Sequence, residues 1–481
     1  TKDELMAMYF NQVSFGNNTF GIQSAAESFF NKKPKQLNVE EAAVLVGLQK
    51  AVTRYNPLRN PENSKSRRNV VLSQMVRYGY LDKVAYDTLA PQDIVLDYNA
   101  QDQNFGPGQY FRAEVQKDLI VIARDLGYDL FADGLKIYTT IDSRMQRYAE
   151  QAVDSTMRQV QASFFNKLKD DNGNIREPWI DDQGRVIKDF IETILPRTER
   201  YRSLEKEYGK GSDSIDYYLN KKIPMKVFSW KGEIDTLMSP MDSLKYYKHF
   251  LQAGFMAADP HNGEIKAWVG GINYEYFKFD HVRLGKRQAG SLFKPFLYAT
   301  AVEKGFSPCY EFEDQPITIK ISGQNSWSPQ NSDNKFSGEK MTMKTAMAKS
   351  VNSISARVMD IVKPDNVSKM AGRLGVESEI GPFYSIALGT VDVSVKEMVS
   401  AFGTFANKGT HIEAHYVTKI EDRFGNVIWS KVPQKKRAIS EDVAYVMLNM
   451  LQENTTNGSG IRLWSEYKIT NFNQTENSIG S

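Results

Sequence analysis

Cysteine is almost missing from this chain. Cys309 is the only one among 481 residues, so no disulfide can form within the chain and a cysteine-based metal site has no basis. That scarcity does not fix a compartment, since extracytoplasmic proteins need not use disulfides. An excess of one charge is missing too. Sixty-one basic residues face 58 acidic ones, and a net charge of +3 gives no whole-chain case for nucleic acid. No apolar run is long enough to span a bilayer, and no stretch has the pattern of a signal peptide. Histidine is sparse, at five residues. The pair in His411-Ile412-Glu413-Ala414-His415 lacks a glutamate directly after the first histidine and stands in a strand-like context. It reads as two side chains sharing a sheet face, not as a metal site.

What is present is globular: 41% hydrophobic and 25% charged residues, with length for about three domains. The chain opens at Thr1, without Met and directly in a helical pattern, so it is expected to be a piece of a longer protein. Residues 1 to about 90 read as helical. Leu5, Met6, Met8, Tyr9 and Phe10 pattern a first helix, Phe15-Gly16-Asn17-Asn18 breaks it, and Ile22 to Phe30 fits a second. Asn38 with Glu41 reads as a capping box before the apolar run Ala42 to Leu48, and Ser64 to Tyr78 reads as a further helix. Tyr110 to Leu126 and Met145 to Gln161 read as helices around an alternating strand at 134–142. Residues 163–235 are charged and weakly periodic, and read as an inserted, partly irregular module. Two apolar runs around Asp259-Pro260-His261-Asn262-Gly263 read as a hairpin. Helices near 341–361 and 395–407 and strands near 410–421 and 426–431 complete an α+β pattern with an antiparallel sheet.

The chemistry concentrates in Arg287 to Lys304. Gly290 gives a flexible entry, and Ser291 opens a helical run whose expected core side is Leu292, Phe293, Phe296, Leu297 and Ala299. Lys294 lies three residues on, so both side chains share one helix face. A serine hydroxyl is a poor nucleophile until something takes its proton, and a desolvated neutral lysine can do so. Backbone N–H groups at a helix start can stabilise an oxyanion. The same spacing recurs at Ser203/Lys206, Ser332/Lys335, Ser337/Lys340 and Ser465/Lys468, but none of these follows a glycine and starts an apolar helix. An N-cap serine with a solvated lysine is the plain alternative.

Acyl transfer also needs a proton shuttle on the leaving-group side. Ser350-Val351-Asn352 offers a hydroxyl and an amide for this. The rival triplet Ser332-Asp333-Asn334 lies in the polar loop that starts at Trp327, and is set aside on that context.

These motifs, taken in order, resemble a known family. Lys2 to Asn11 and Arg67 to Met75, with Tyr55-Asn56-Pro57 and Arg59-Asn60-Pro61 between them, resemble the C-terminal part of the glycosyltransferase domain of class A penicillin-binding proteins. Asp259-Pro260 with Gly263, Gln288 to Phe296, Ser350-Val351-Asn352, Ala387-Leu388-Gly389 and Phe402 to Gly409 resemble their transpeptidase domain.

The resemblance implies a multidomain α+β protein. Residues 1–91 would be an all-α, lysozyme-like glycosyltransferase remnant, 92–162 an interdomain linker, 163–235 an insertion, and 236–481 a transpeptidase domain incomplete at its C-terminus. It implies catalytic roles for Ser291, Lys294, Ser350 and Asn352, and substrate-binding roles for Tyr9, Asn11, Arg67 and Trp327. The catalytic glutamates of the glycosyltransferase are expected upstream of Thr1. A Lys-Thr-Gly or Lys-Ser-Gly motif is absent, although Gly458 to Leu463 and Tyr467-Lys468-Ile469-Thr470-Asn471 resemble the approach to it. Loss of one oxyanion donor costs on the order of 100- to 1000-fold in rate, so the chain as given is expected to be a poor enzyme. The implied partners are lipid-linked peptidoglycan precursor, nascent glycan peptides and β-lactams, at the outer face of the bacterial cytoplasmic membrane, with an anchor upstream. No cofactor is implied for the transpeptidase. A divalent metal is allowed for the glycosyltransferase by the family, without a visible site. A serine β-lactamase or DD-carboxypeptidase, and a catalytically dead scaffold, stay open as alternatives.

Overall fold

A computed structural model of the chain describes residues 1–467 apart from 17–18, 99–105, 182–183, 322 and 324. Asn17 and Asn18 of the first break, and the Lys468-to-Asn471 stretch near the missing motif, lie outside the described residues. The chain divides into two units, residues 1–138 with 419–430, and residues 139–418 with 431–481.

The first unit is helical. Helix α1 (Lys2–Gln12) is closed by a capping box between Thr1 and Glu4 and buries no residue. Helix α2 (Ile22–Phe30) ends where Asn31 takes a left-handed conformation, φ 52°. Its Ala25, Ala26, Phe29 and Phe30 form a core with Phe15 and with Val44, Leu45 and Leu48 of α3 (Val39–Leu48). The Glu41 carboxylate accepts from the Asn38 N–H at 2.8 Å and so caps α3. Helix α4 (Pro61–Arg77) begins three residues before the expected Ser64, because Pro61 suits the first helical turn, where its missing N–H costs nothing. Gly47 lets α4 approach, since a Cβ there would stand 3.2 Å from Arg67 Cγ. Helices α5 (Lys83–Leu89) and α6 (Gln109–Asp125) follow, then strand β1 (Lys136–Thr139), shorter than the stretch that alternation suggested.

The second unit opens with α7 (Ser143–Leu168), which runs seven residues past the expected end at Gln161 and through the expected boundary at 162/163. Two buried glutamines on α7 explain its fixed position. The Gln146 side chain exchanges hydrogen bonds with both backbone groups of Trp268, at 2.9 and 2.7 Å. Gln161 Nε2 donates to the His249 carbonyl, and its Oε1 accepts from the Leu251 N–H. The stretch read as partly irregular contains α8 (Phe190–Ile194), α9 (Glu199–Tyr208), α10 (Asp213–Asn220) and the antiparallel pair β2 (Ile223–Val227) and β3 (Ile234–Met238). Helix α11 (Pro240–Lys248) follows. These elements were hard to see because each is short and buries few residues, among them Ile191, Ile215, Leu219 and Val227; Trp179 stacks on Phe190 at 5.3 Å beside them. Strands β4 (Phe255–Ala258) and β5 (Ile265–Val269) form the expected hairpin around Gly263, φ 78°.

Beyond β6 (Arg287–Gln288) a 3-10 turn at Gly290–Phe293 leads into α12 (Lys294–Glu303). Ser291 therefore stands in a 3-10 turn before the α-helix. Pro295 has no N–H to give the Ser291 carbonyl, and the Lys294 N–H takes that carbonyl instead. This rotates Leu292 outward, 54% exposed, and corrects its place on the expected core side. Phe293, Phe296, Leu297 and Ala299 are fully buried. The antiparallel pair β7 (Glu311–Glu313) and β8 (Lys340–Thr342) comes next. The expected helix at 341–361 is two, α13 (Met343–Ala348) and α14 (Asn352–Val362). Ser350 breaks it in a left-handed conformation, φ 56°. Helix α15 (Pro364–Leu374), β9 (Asp392–Val393) and α16 (Val395–Ala406) lead to β10 (Thr410–Ile412), and the chain then passes through the first unit's segment 419–430, which holds most of β11 (Val417–Glu421) and all of β12 (Val427–Ser430). Strand β13 (Lys435–Arg437), α17 (Glu441–Asn457) and α18 (Arg462–Ser465) close the described chain. The expected antiparallel pairing is present, spread over small sheets between the helices. One core gathers α12 with residues of α13, α14, α15, α16 and α17. Helix α12, which begins at Lys294 of the Ser-x-x-Lys motif, buries eight of its ten residues.

Candidate active site

Ser291 is exposed while Lys294, one turn further, is 1% exposed. The turn leaves the hydroxyl at the surface and carries the amine inward. Burial alone pulls the Lys294 amine down to a pKa of about 8, since the low-dielectric interior penalises its charge. Its Nζ lies 2.7 Å from the Ser350 carbonyl, 3.0 Å from Ser350 Oγ and 2.8 Å from Asn352 Oδ1. Ser350 Oγ is in turn 2.9 Å from Ser291 Oγ.

The left-handed backbone of Ser350 makes this arrangement. Its N–H donates to the Met347 carbonyl, and the next N–H, of Val351, donates to Ala346. The α13 end is thereby closed while both the carbonyl and the hydroxyl of Ser350 are presented to Lys294. Such a conformation costs a non-glycine residue roughly 1–3 kcal/mol and persists where surrounding contacts over-determine it. At the entry to the motif, the Gly290 N–H donates to the Gly389 carbonyl at 3.0 Å. Gly389 has φ 74°, and a Cβ there would fall 1.8 Å from the Gly290 carbonyl oxygen. Only glycine allows that approach. A cavity of about 200 Å³ opens over Ser291, Lys294 and Ser350, walled by Met347, Phe402 and Asn454 among others.

The structure thus brings Ser291, Lys294, Ser350 and Asn352 together. Trp327 stands apart from the cavity, half-buried and paired through both backbone groups with Ile319, at the head of the loop that reaches Asn352. The rival triplet lies in an exposed turn with Asn334 left-handed, φ 56°. Its neighbours matter more: the Gln330 carbonyl accepts from Asn352 Nδ2, and Asn331 Oδ1 accepts from the N–H groups of Asn352 and Ser353. Sequence reasoning missed Gln330, Asn331 and the buried Asp314 behind them. No motif spacing marks them; Gln330 and Asn331 directly precede the rejected triplet, and nothing in the sequence pointed to Asp314.

In the first unit Tyr9 and Asn11 are exposed on α1, while Arg67 on α4 lies with its guanidinium 5.9 Å from the Tyr55 ring centre. The two histidines do not share a sheet face. His411 is on β10 and meets Thr404 Oγ1 at 3.2 Å, while buried His415 follows the strand, beside the Glu413 carbonyl. The strand stops at Ile412, which separates them.

The fold and this constellation define a penicillin-binding transpeptidase domain behind part of a transglycosylase domain. Residues 253–469 match the penicillin-binding protein transpeptidase domain, 174–251 the penicillin-binding protein middle domain, and 1–76 the transglycosylase family. Penicillin-binding protein 1A of Rickettsia felis is 29% identical over 448 residues, covering 90% of this chain and 56% of that protein. Its counterpart in Aquifex aeolicus is 28% identical over 477 residues, covering 96% and 62%. A crystal structure of penicillin-binding protein 1A from Haemophilus influenzae shares the fold, with TM-score 0.63 and 23% identity over 95% of this chain and 74% of that one. Along most of its length the chain is similar to class A penicillin-binding proteins. It spans somewhat more than half the length of the curated relatives it matches.

Proposed function

We propose that the Ser291 site performs the cross-linking step of peptidoglycan synthesis, through an acyl-serine intermediate. The observation that carries this is the chain of contacts from Ser291 Oγ to Ser350 Oγ to Lys294 Nζ. In its neutral form Lys294 keeps two N–H bonds, which suit the Ser350 carbonyl and Asn352 Oδ1, and a lone pair that suits the Ser350 hydroxyl. As Ser291 attacks the D-Ala-D-Ala carbonyl, its proton passes to Ser350 and the Ser350 proton to Lys294. When the C–N bond breaks, the same path returns a proton to the departing D-Ala amine. An acceptor amine then attacks the ester carbon and frees Ser291. β-Lactams enter by the first half of this sequence, and Asn352 is proposed to hold the substrate amide.

For the first unit the same reading gives Tyr9, Asn11 and Arg67 as substrate contacts of a glycan-polymerising domain acting on lipid-linked precursor. A divalent metal is allowed there, though no such site is visible among the described residues. The working location is the outer face of the cytoplasmic membrane, with the parent anchored in it. None of the described helices is long and apolar enough to cross a membrane.

A second reading rests on the absence of Lys-Thr-Gly and Lys-Ser-Gly from all 481 residues. On it, the Ser291 site is impaired in acylation and the domain serves as a scaffold. A β-lactamase or carboxypeptidase would instead hand the acyl group to water. Incubation with fluorescent penicillin tests these together. Slow, stable labelling mapped to Ser291 supports the transpeptidase reading, rapid turnover of the label supports hydrolysis, and no labelling supports the scaffold.

A further inference from the structure

Helix α14, which carries the end of the Ser-x-Asn motif, has no cap of its own. Its N-cap residue is Val351, whose side chain accepts nothing. The orphan N–H groups of its first turn are taken from outside by Asn331 Oδ1, at 3.0 Å from the Asn352 nitrogen and 3.1 Å from that of Ser353. Asn331 is itself held. Its Nδ2 donates to Asp314 Oδ1 and to the Lys335 carbonyl, both at 2.9 Å. Asp314, 4% exposed at the end of β7, also accepts from Ser353 Oγ at 2.6 Å and from the Ser337 N–H and Oγ at 2.8 and 3.0 Å. Burial would raise the pKa of this carboxyl, but four donors converge on it and together hold it below the usual carboxylate range. The anion therefore stitches β7, the 331–337 loop and the first turn of α14 into one frame. Asn352 Oδ1 and Ser350, which face Lys294, hang from that frame.

We propose that Asp314 and Asn331 are a positioning pair that sets Ser350 and Asn352 against Lys294 for acylation of Ser291. Neither touches the reacting atoms. The pair fixes where α14 begins, and so where the proton path runs. A displacement of about 1 Å in such a frame can cost on the order of 100-fold in rate. This rests on the acyl-serine reading above.

The pair can be exchanged. Asp314→Asn leaves Asn331 opposite a neutral amide, and Asn331→Asp sets two carboxylates against each other. The double variant restores one anion and one amide in reversed places, with the carboxylate at 331 still able to accept from both α14 N–H groups, although the Lys335 carbonyl loses its donor. In the full chain, each single variant is expected to slow fluorescent-penicillin labelling by roughly 10- to 100-fold, and the double variant to recover most of that loss. Hydrogen exchange at the Asn352 and Ser353 amides should rise in the single variants and fall back in the double, while α12 stays protected and reports an intact core. Ser353→Ala, a milder change that removes one donor to Asp314, should fall between wild type and the single variants. Single variants that label at the wild-type rate, or a double variant no better than the singles in both readouts, would overturn the proposal. If the wild-type chain takes no label at all, the acyl-serine reading fails, and recovery of exchange protection in the double variant alone then decides the positioning role.

Discussion

Lys294 Nζ and Ser291 Oγ share no hydrogen bond. Ser350 Oγ stands between them, 3.0 Å from the amine and 2.9 Å from the Ser291 hydroxyl. The spacing Ser-x-x-Lys suggested that the lysine takes the serine's proton directly. In the folded chain the contacts between them run in two steps, and on the proposed mechanism Ser350 belongs to the proton path as much as Lys294 does.

Ser350→Ala and Lys294→Ala should therefore depress labelling by fluorescent penicillin to similar extents. General-base assistance is worth about 100- to 10,000-fold, and each change removes it. Ser291→Ala should abolish the label, with mass spectrometry placing the wild-type adduct on Ser291. A Ser350→Ala variant that labels at the wild-type rate would show that the proton leaves by another route.

Acylation should rise with pH around an apparent midpoint near 8, where burial has set the Lys294 amine. The same shift acts on stability, and its sign follows from proton uptake. The amine titrates at about 8 when folded and at an ordinary 10.5 when unfolded. Between these values the unfolded chain binds more protons, so stability rises with pH across that window. Below pH 8 the buried ammonium is a standing penalty of roughly 3 kcal/mol. Urea melts at pH 7.5 and 9.5 should show this rise in the wild type and a flatter response in Lys294→Met.

Ser332→Ala should leave labelling and melting temperature unchanged. Ser332 is exposed in the turn that follows Asn331. A large loss of label would reinstate the rival triplet as the functional one.

Gly389→Ala should destabilise the site more than a surface change does. The added methyl would collide with the Gly290 carbonyl, and φ 74° disfavours any side chain there. A loss of roughly 2–4 kcal/mol is expected, read as a lower urea midpoint together with slower labelling.

Gln161→Leu should cost roughly 2–4 kcal/mol, because it leaves the His249 carbonyl and the Leu251 N–H without their shared partner inside the protein. Ser291 lies on other elements, so any variant molecules that stay folded should label at the wild-type rate. The comparison is between melting temperature and label per folded molecule.

How much of this was legible differs from element to element. Local pattern fixes helices such as α2, where Ala25, Ala26, Phe29 and Phe30 repeat at helical spacing, and the β4–β5 hairpin, where turn residues separate two apolar runs. It also marks Ser291, Lys294, Ser350 and Asn352, because reactive residue types in fixed spacing are a sequence property. It could not place Leu292, since the Pro295 ring converts the preceding turn to 3-10 and turns that side chain out. It missed α8 to α10, short helices that bury only Ile191, Ile215 and Leu219 among charged and polar residues. The bridge that Ser350 makes from Lys294 to Ser291, and the support from Asp314 and Asn331, are hydrogen bonds across 17 to 59 positions of sequence. No periodicity encodes such contacts. They exist because packing around α12 brings three separate segments to one point, and only the tertiary structure makes that point.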